Sequence, residues 1–214
     1  MKQLIYILTL LTLSACSTKT SLKEKTENEF TYEFISDSLL TKIPTINYAK
    51  IELKNTDNQN IENKYIAVNQ QQLNFFYTRE EQEKMTDYFS ETHMYFYGKK
   101  KIGVEKLAFF ILIDANYLGL YLDCAVVDKE GKLIGKFLPA YIDVDAGYSN
   151  VAKGEFLNDS TYKYSEVSFA YIDAEHKKAI QDSIIKIVTI ENMKIHTELV
   201  EKLPTDTIIE NENY

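Results

Sequence analysis

The sequence predicts a mainly β domain, and three patterns lead to that prediction. Apolar and polar residues alternate with a period of two over several short stretches, as in half-buried strands. Turn-forming residues separate these stretches at short intervals. The connections are too short for crossover helices, so neighbouring strands must run antiparallel. The strands could pair as an open sheet or meander, a sandwich or an open barrel, and an α+β fold is the alternative.

The strand prediction is strongest in the middle of the chain. Residues 107–113, LAFFILI, are apolar on both faces and predict a strand at the centre of a sheet. Residues 117–128 alternate and predict a half-buried strand. Its apolar side would carry Leu118, Leu120, Leu122, Cys124 and Val126.

Four further strands are predicted towards the C-terminus, at residues 151–157, 161–172, 184–190 and 193–203. In the last strand, Met193, Ile195 and Leu199 are predicted to face inward. Lys194, His196 and Glu198 are predicted to face outward. Turns are predicted at 128–132, where Gly131 suits a left-handed position, at 145–147 and at 158–160.

The first third of the chain gives weaker patterns. Phe30, Tyr32 and Phe34 alternate with polar residues, as do Ile46 and Tyr48, and both stretches are interpreted as strands. Residues 55–63, NTDNQNIEN, have the composition of a loop.

One short helix is predicted near residues 79–90. Thr78 and Glu81 have the spacing of a capping box, in which each side chain accepts a hydrogen bond from the other residue's backbone N–H. Glu80 and Lys84 would form a surface ion pair. One helix face would be apolar, with Met85, Tyr88 and Phe89.

The charge balance argues against nucleic acid as a partner. The chain carries 24 basic and 32 acidic residues, and Arg79 is its only arginine. Nucleic acid is held mainly by Lys and Arg contacts to phosphate, and an acidic domain repels it. The basic run Lys99–Lys101, with Lys106, is interpreted as a solvated hairpin tip; a site for an anionic ligand or lipid head group is the alternative.

The N-terminus has the features of an export signal. Lys2 supplies a positive start, and residues 4–13 form an apolar run that is too short to span a bilayer. The run ends in Leu13-Ser14-Ala15-Cys16, where small residues precede a thiol. This sequence resembles the lipobox of bacterial lipoproteins.

The resemblance implies that Cys16 is lipidated and that cleavage occurs just before it. Two or three acyl chains, each contributing about 0.8 kcal/mol per buried CH₂, would hold the protein stably on a membrane. The family's sorting rule retains chains with Asp after the cysteine at the inner membrane. Here Ser17 follows, which favours the outer membrane of the cell envelope.

The chain therefore divides into four predicted parts. Residues 1–15 are a signal peptide, residues 16–29 the lipidated cysteine and a flexible tether, residues 30–203 one β domain, and residues 204–214 an acidic tail. The DKEGK hairpin at 128–132 and the NDST turn at 158–161 resemble those of small outer-membrane lipoproteins of unknown function. That resemblance brings no activity with it.

No sequence pattern identifies a catalytic site, a cofactor or a metal. Cys124 is interpreted as a buried core residue, because a lone thiol on an apolar strand face behaves as a small hydrophobe. The Asp143–Gly147 segment begins like a calcium loop, but its glycine comes one place early and the closing glutamate is missing. Phosphate-binding glycine loops and GxSxG are absent from the sequence.

The histidines leave other interpretations open. His93, His176 and His196 lie far apart in the sequence, without a metal-ligand spacing. His196 is interpreted as a solvated edge residue, and a row of His93, Tyr95 and Tyr97 could line a ligand site.

Three classes of function follow. The leading hypothesis is a non-enzymatic envelope lipoprotein that binds a protein or a cell-surface polymer. The second is a hydrolase built on His93 or His196. The third is an immunity or inhibitor lipoprotein that blocks a toxin or lytic enzyme.

The lipid anchor can be tested by changing one residue. Cys16→Ala removes the acceptor thiol, so the domain should either be released from the membrane or keep its leader. Metabolic labelling with a radioactive or clickable fatty acid should then give no labelled protein. Unchanged lipid labelling of the variant would contradict the assignment.

Overall fold

A computed structural model describes residues 32–47, 49–54, 60–88, 93–115, 119–145, 147–172 and 178–209. The predicted signal peptide, Cys16 and tether lie outside these residues. Four short helices are described: α1 (Asp37–Lys42), α2 (Ile61–Lys64), α3 (Gln70–Phe76) and α4 (Arg79–Tyr88). The described strands are β1 (Lys50–Ile51), β2 (Ile66–Ala67), β3 (His93–Ile102), β4 (Lys106–Asp114), β5 (Gly119–Asp128), β6 (Leu133–Asp145), β7 (Tyr148–Phe156), β8 (Thr161–Tyr171), β9 (Lys178–Glu191), β10 (Lys194–Lys202) and β11 (Asp206–Ile209).

These strands form one open antiparallel sheet, so the predicted mainly β fold is confirmed. The order is β10-β9-β8-β7-β6-β5-β4-β3-β2, with β1 paired to β7 and β11 paired to β9. The sheet divides at β6. This strand pairs with β5 along most of its length, but with β7 only through Tyr141–Asp145. Beyond that point, β1 takes the place of β6 beside β7.

The sheet folds back on itself and encloses a first hydrophobic core, called here the sheet–sheet core. Phe137 of β6 contacts Tyr162 of β8, with 5.5 Å between ring centroids. The Tyr162 hydroxyl donates a 2.9 Å hydrogen bond to the carbonyl of Pro139, so the polar end of this buried ring is satisfied. Among its other members are Phe110, Leu112, Leu122, Cys124, Val126, Phe156, Val188 and Ile190.

A second hydrophobic core, called here the helix–sheet core, lies on the opposite face of β3, β4 and β5. Helices α1 and α3 and the residues before α1 cover this face. Aromatic rings dominate the packing. Phe34 stacks on Phe75 with 3.7 Å between ring centroids, and the rings of Phe109 and Phe76 lie 5.6 Å apart between centroids. Further members include Tyr32, Ile35, Leu40, Ile43, Phe96, Ile111, Ile113, Ala125 and Val127.

The apolar run at 107–113 forms the central strand that its composition predicts. In β4, Ala108, Phe110 and Leu112 enter the sheet–sheet core, and Leu107, Phe109, Ile111 and Ile113 enter the helix–sheet core. Strand β5 departs from the half-buried prediction in its second half. Ala125 and Val127 are fully buried as well, because the helices cover the face that the sequence pattern left to solvent.

Helix α4 begins as predicted. The backbone N–H of Thr78 donates to Glu81 at 2.7 Å, and the N–H of Glu81 donates to the Thr78 hydroxyl at 3.3 Å, which confirms the capping box. Glu80 and Lys84 pair at 2.8 Å. The prediction of a single helix is wrong, however. Of the three further helices, α3 starts with its own capping box between Asn69 and Gln72.

The strands predicted in the first third are wrong where the structure describes them. Tyr32 bridges to Ile35 in a tight turn, and α1 follows at once, capped by the Ser36 hydroxyl. Tyr32 and Phe34 therefore lie in a turn and not in a strand, and their side chains are buried in the helix–sheet core. Ile46 joins the edge of β3 by one hydrogen bond to Lys99, and Phe30 and Tyr48 lie outside the described residues. Within the predicted loop at 55–63, residues 61–63 belong to α2.

The predicted turns at 128–132 and 158–160 lie where the sequence placed them, and Ala146 of the turn predicted at 145–147 lies outside the described residues. Gly131 has φ +84°, a left-handed conformation that suits glycine, between β5 and β6. The buried Asp128 carboxylate accepts a 2.7 Å hydrogen bond from the backbone N–H of Lys132 and closes this turn. In the turn between β7 and β8, the Asn158 side chain accepts a 2.9 Å hydrogen bond from the backbone N–H of Ser160.

The C-terminal predictions need two corrections. Met193 and Leu199 are exposed rather than inward, because β10 pairs with β9 on one side and contributes only Ile195 to the packing against the sheet–sheet core. Lys194, His196 and Glu198 are exposed, as predicted. The predicted acidic tail at 204–214 contains a strand, since residues 206–209 pair with residues 178–181 of β9.

Removing the Phe109 ring should destabilise the protein strongly, because this fully buried side chain contacts Tyr32, Phe34, Phe76 and Phe96. We expect Phe109→Ala to lower the free energy of unfolding by about 3–5 kcal/mol, measured by urea denaturation. Val104→Ala, at a site that is 75% exposed, is the control and should change it by about 0.5 kcal/mol or less. Equal effects of the two changes would contradict this packing.

Candidate functional site

The best-formed candidate site is a groove of about 390 Å³ where β1, β7, β8 and β9 lie side by side. We call it the charged groove. It is open to solvent, and its volume is within the usual range of ligand sites, about 300–1,000 Å³. Its lining is Lys50, Ile51, Glu52, Lys153, Gly154, Glu155, Lys163, Ser165 and Ile185.

Strand register places charges of alternating sign across the charged groove. Lys50, Glu155 and Lys163 lie directly opposite one another on β1, β7 and β8. The next row joins Lys153 to Glu52, with 3.1 Å between Nζ and Oε1. Directly opposite residues share one face of a sheet, so the charges in each row project together.

The charged groove can exchange these internal pairs for contacts with a ligand. The side chains of Lys153 and Glu52 are 55% and 54% exposed. An exposed pair of this kind contributes about 0–1 kcal/mol to stability, so breaking it costs little. Beneath the charges, Ile51 is buried and Gly154 has no side chain. A ligand with both amino and carboxyl groups, lying along the strands, matches this arrangement.

A second cluster of charged residues lies where α4 meets the β5–β6 pair. Lys136 donates to Glu81 at 2.7 Å, and its Nζ lies 4.0 Å from the centre of the Tyr77 ring. Asp123 sits at a register shift between β5 and β6, and its carboxylate accepts from the backbone N–H of Cys124 at 3.1 Å. This cluster joins a helix to the sheet on the side away from the sheet–sheet core.

The pKa values of the two acids and the phenol in this cluster are shifted in different directions. Desolvation raises the pKa of Asp123, although the Lys136 ammonium opposes the shift. Burial, followed by the Asp123 charge, raises the pKa of Tyr77. Desolvation would also raise the pKa of Glu81, but hydrogen bonds from Lys136 and Thr78 outweigh it and the pKa is lowered. Perturbed groups can mark functional sites or structural networks. Here the groups do not line the charged groove, which favours a structural role.

A third polar cluster lies between β6, β8 and β9. The Tyr164 hydroxyl donates to Glu166 at 2.6 Å, and Lys186 lies 3.8 Å from the same carboxylate oxygen. Burial, partly offset by a hydrogen bond with Tyr164, raises the pKa of Tyr141 to about 12. These phenols stay protonated at neutral pH and hold the strands together through hydrogen bonds.

The residues that the sequence singled out do not converge. His93 and His196 are exposed on β3 and β10, and His176 lies outside the described residues. Tyr95 is buried in the sheet–sheet core, so the alternative of a ligand-facing row of His93, Tyr95 and Tyr97 does not hold. Neither histidine lines the charged groove or a second groove of about 580 Å³ between Tyr32, α3 and Gly131.

Cys124 is fully buried, as predicted, and burial raises the pKa of its thiol. Asp143 accepts a long hydrogen bond, 3.4 Å, from the Tyr148 hydroxyl across the β6–β7 turn. No group of three or more His, Cys, Asp and Glu residues within the described part of the chain could hold a metal ion.

The basic run is divided by the fold, so the single solvated hairpin tip predicted for it is wrong. Lys99 donates to the carbonyls of Leu40 and Ile43 at the end of α1, and burial lowers the pKa of its ammonium group. Lys100 lies over the Phe156 ring at 5.1 Å. Lys101 is exposed and Lys106 is half-buried, on either side of the β3–β4 turn.

Comparison with known proteins gives no relative: the chain matches no protein-family model, no curated protein and no solved structure. Function is therefore argued from the chain's own residues. Among the described residues, the helices are all too short or too polar to cross a membrane.

The raised pKa of Asp123 predicts a specific pH dependence of stability. An acid whose pKa is higher in the folded state binds more protons there, so stability falls as the pH rises above the unfolded value of about 3.9 until the folded carboxyl has ionised. Asp123→Asn, which can still accept from Cys124, should remove this loss. Its free energy of unfolding should rise relative to wild type between acidic and neutral pH, measured by urea denaturation at a series of pH values.

Asp145→Asn is the matched control, because this carboxylate is exposed at the end of β6. It should follow the wild-type profile. A parallel profile for Asp123→Asn as well would show that the Asp123 carboxyl does not carry the effect.

Proposed function

We propose that this chain is a lipid-anchored protein of the bacterial cell envelope that binds an envelope protein or a cell-surface polymer without catalysis. The anchor is Cys16, in the Leu13-Ser14-Ala15-Cys16 sequence that follows the apolar run. Ser17 favours the outer membrane. Acyl chains on this cysteine would keep the β domain near the membrane surface, so its partner is to be sought in the envelope.

The observation that supports binding is the charged groove. Its rows of lysine and glutamate cross three strands, and the lining residues are held in place by the strand pairing beneath them. A rigid strand scaffold keeps the charges in a defined pattern, which lowers the entropy lost when a partner binds. Partners with alternating amino and carboxyl groups include peptide segments and the peptide-bearing polymers of the cell wall.

Catalysis receives less support from the described residues. Nucleophilic or acid–base chemistry needs a base within hydrogen-bond reach of the group it activates. His93 and His196 lie on different strands, apart from the charged groove. Charge complementarity rather than chemistry is therefore the basis of the proposal.

Site-specific photocrosslinking tests the charged groove in living cells. A benzoylphenylalanine at position 165, within the groove, should give a discrete crosslinked species on irradiation. The control places the same probe at position 167, two residues along β8 on the same face but outside the groove lining, where Val167 is 39% exposed. Crosslinks should be absent or much weaker there.

A charge reversal gives the second measurement. Lys163→Glu replaces a groove lysine that is flanked in register by Glu155 and should abolish the crosslink at position 165. Lys178→Glu, on a distant part of β9, should leave it unchanged. Identical crosslinks at positions 165 and 167, or a crosslink that survives Lys163→Glu, would overturn the assignment of the groove.

A further inference from the structure

The turns after β3 and β5 lie together at one end of the domain. Lys106 at the start of β4 pairs with Asp128 at the end of β5, so both turns project beyond the same edge of the strands. Lys129 joins them through an ion pair with Glu105, 2.8 Å between Nζ and Oε1. Residues 101–106 and 129–132 are called here the hairpin end.

The described chain also begins at the hairpin end. A Cβ built on Gly131 would lie 3.3 Å from Cδ1 of Tyr32, the first described residue. Residues 17–31 connect Tyr32 to Cys16. They reach at most about 50 Å, and a coil of this length has a root-mean-square span of about 20 Å. The opposite end is about 40 Å further away along β6. The tether therefore joins the domain at the hairpin end, and its average span of about 20 Å favours contact between this end and a membrane that holds Cys16.

The chemistry of the hairpin end suits a phospholipid surface. Val104 is 75% exposed, the highest value among the large apolar residues that the structure describes. It lies at the tip of the β3–β4 turn. The hairpin end carries four lysines, Lys101, Lys106, Lys129 and Lys132, against three exposed acids, Glu105 and Glu130 within it and Glu33 beside Gly131. Lysine side chains can reach lipid phosphates while an apolar tip enters the head-group region.

The opposite end of the domain is acidic. The turn after β6 and its neighbours present acidic residues, and the basic residues close by in the described part of the chain include Lys178 and Lys202. These acids are Asp114, Asp143, Asp145, Asp182 and Asp206. An anionic membrane attracts a basic end and repels an acidic one, so the two ends favour the same orientation.

We infer that the hairpin end is a membrane-contact surface that binds anionic phospholipid, with Val104 among the head groups and the surrounding lysines on lipid phosphates. This inference rests on the proposed lipid anchor at Cys16. It adds a defined orientation of the whole domain. The hairpin end faces the bilayer and the acidic end points away from the bilayer, so the charged groove has a fixed position relative to the membrane.

A fluorescence experiment on the lipidated protein tests the orientation. Cys124 is fully buried and Cys16 is expected to be blocked by its thioether, so a thiol dye attaches selectively to an introduced cysteine. Val104→Cys places the dye at the hairpin end. Val144→Cys is the matched control near the acidic end, at a valine that is 45% exposed. Both proteins are reconstituted into vesicles of phosphatidylethanolamine and phosphatidylglycerol that contain a lipid with a nitroxide head group.

We expect the nitroxide lipid to reduce the fluorescence of the position 104 dye by about twofold or more, and that of the position 144 dye little, since a contacting residue lies within about 10 Å of the head groups. Adding Lys101→Glu and Lys132→Glu should weaken the quenching at position 104. Vesicle flotation is measured in parallel. Protein that floats but shows equal quenching at both positions would overturn the contact surface and leave the anchor intact. Protein that does not float would overturn both.

Discussion

The fold depends on the burial of β4 on both faces. One face of this strand enters the sheet–sheet core and the other enters the helix–sheet core, so both cores must form for β4 to be buried. Phe109 and Phe110, adjacent in sequence, point into different cores. Burial of two large aromatic side chains on successive residues explains why the helices must cover the sheet. Without them, the face of Phe109 would be an exposed apolar surface.

Local patterns predicted the second half of the chain well, because strand pairing there follows the order of the sequence. Each strand from β3 to β9 pairs with its successor in the chain, so alternation and turn residues located β4, β5, β7, β8, β10 and the C-terminal half of β9. The first third failed because burial is set by distant elements. Tyr32 and Phe34 alternate like strand residues, but the helix–sheet core buries them from a turn. Two of the unpredicted helices carried overlooked local signals, the Ser36 cap before α1 and the Asn69 and Gln72 capping spacing of α3.

The candidate site could not be predicted from the sequence for a related reason. Glu52 and Lys153 pair across the β1–β7 junction, although 101 residues separate them. That junction exists because β6 pairs with β7 only from Tyr141 to Asp145, and no local sequence pattern predicts that its earlier residues diverge from β7. The basic run shows the converse. Its lysines are adjacent in sequence, but Lys99 turns inward to cap α1, and Lys101 and Lys106 are left beside the β3–β4 turn.

The edge strand β10 would have a consequence for how copies meet on a membrane, if the chain is anchored as proposed. Many copies of one protein held in two dimensions meet far more often than free molecules would, and an unpaired strand edge is a template for joining two chains. An irregularity between Leu199 and Glu201 interrupts this edge, and charged residues are spaced along it. Exposed apolar side chains such as Leu199 and Val200 therefore do not form a continuous apolar interface for a second copy of the chain. An irregular and charged edge of this kind disfavours strand pairing between copies of the chain.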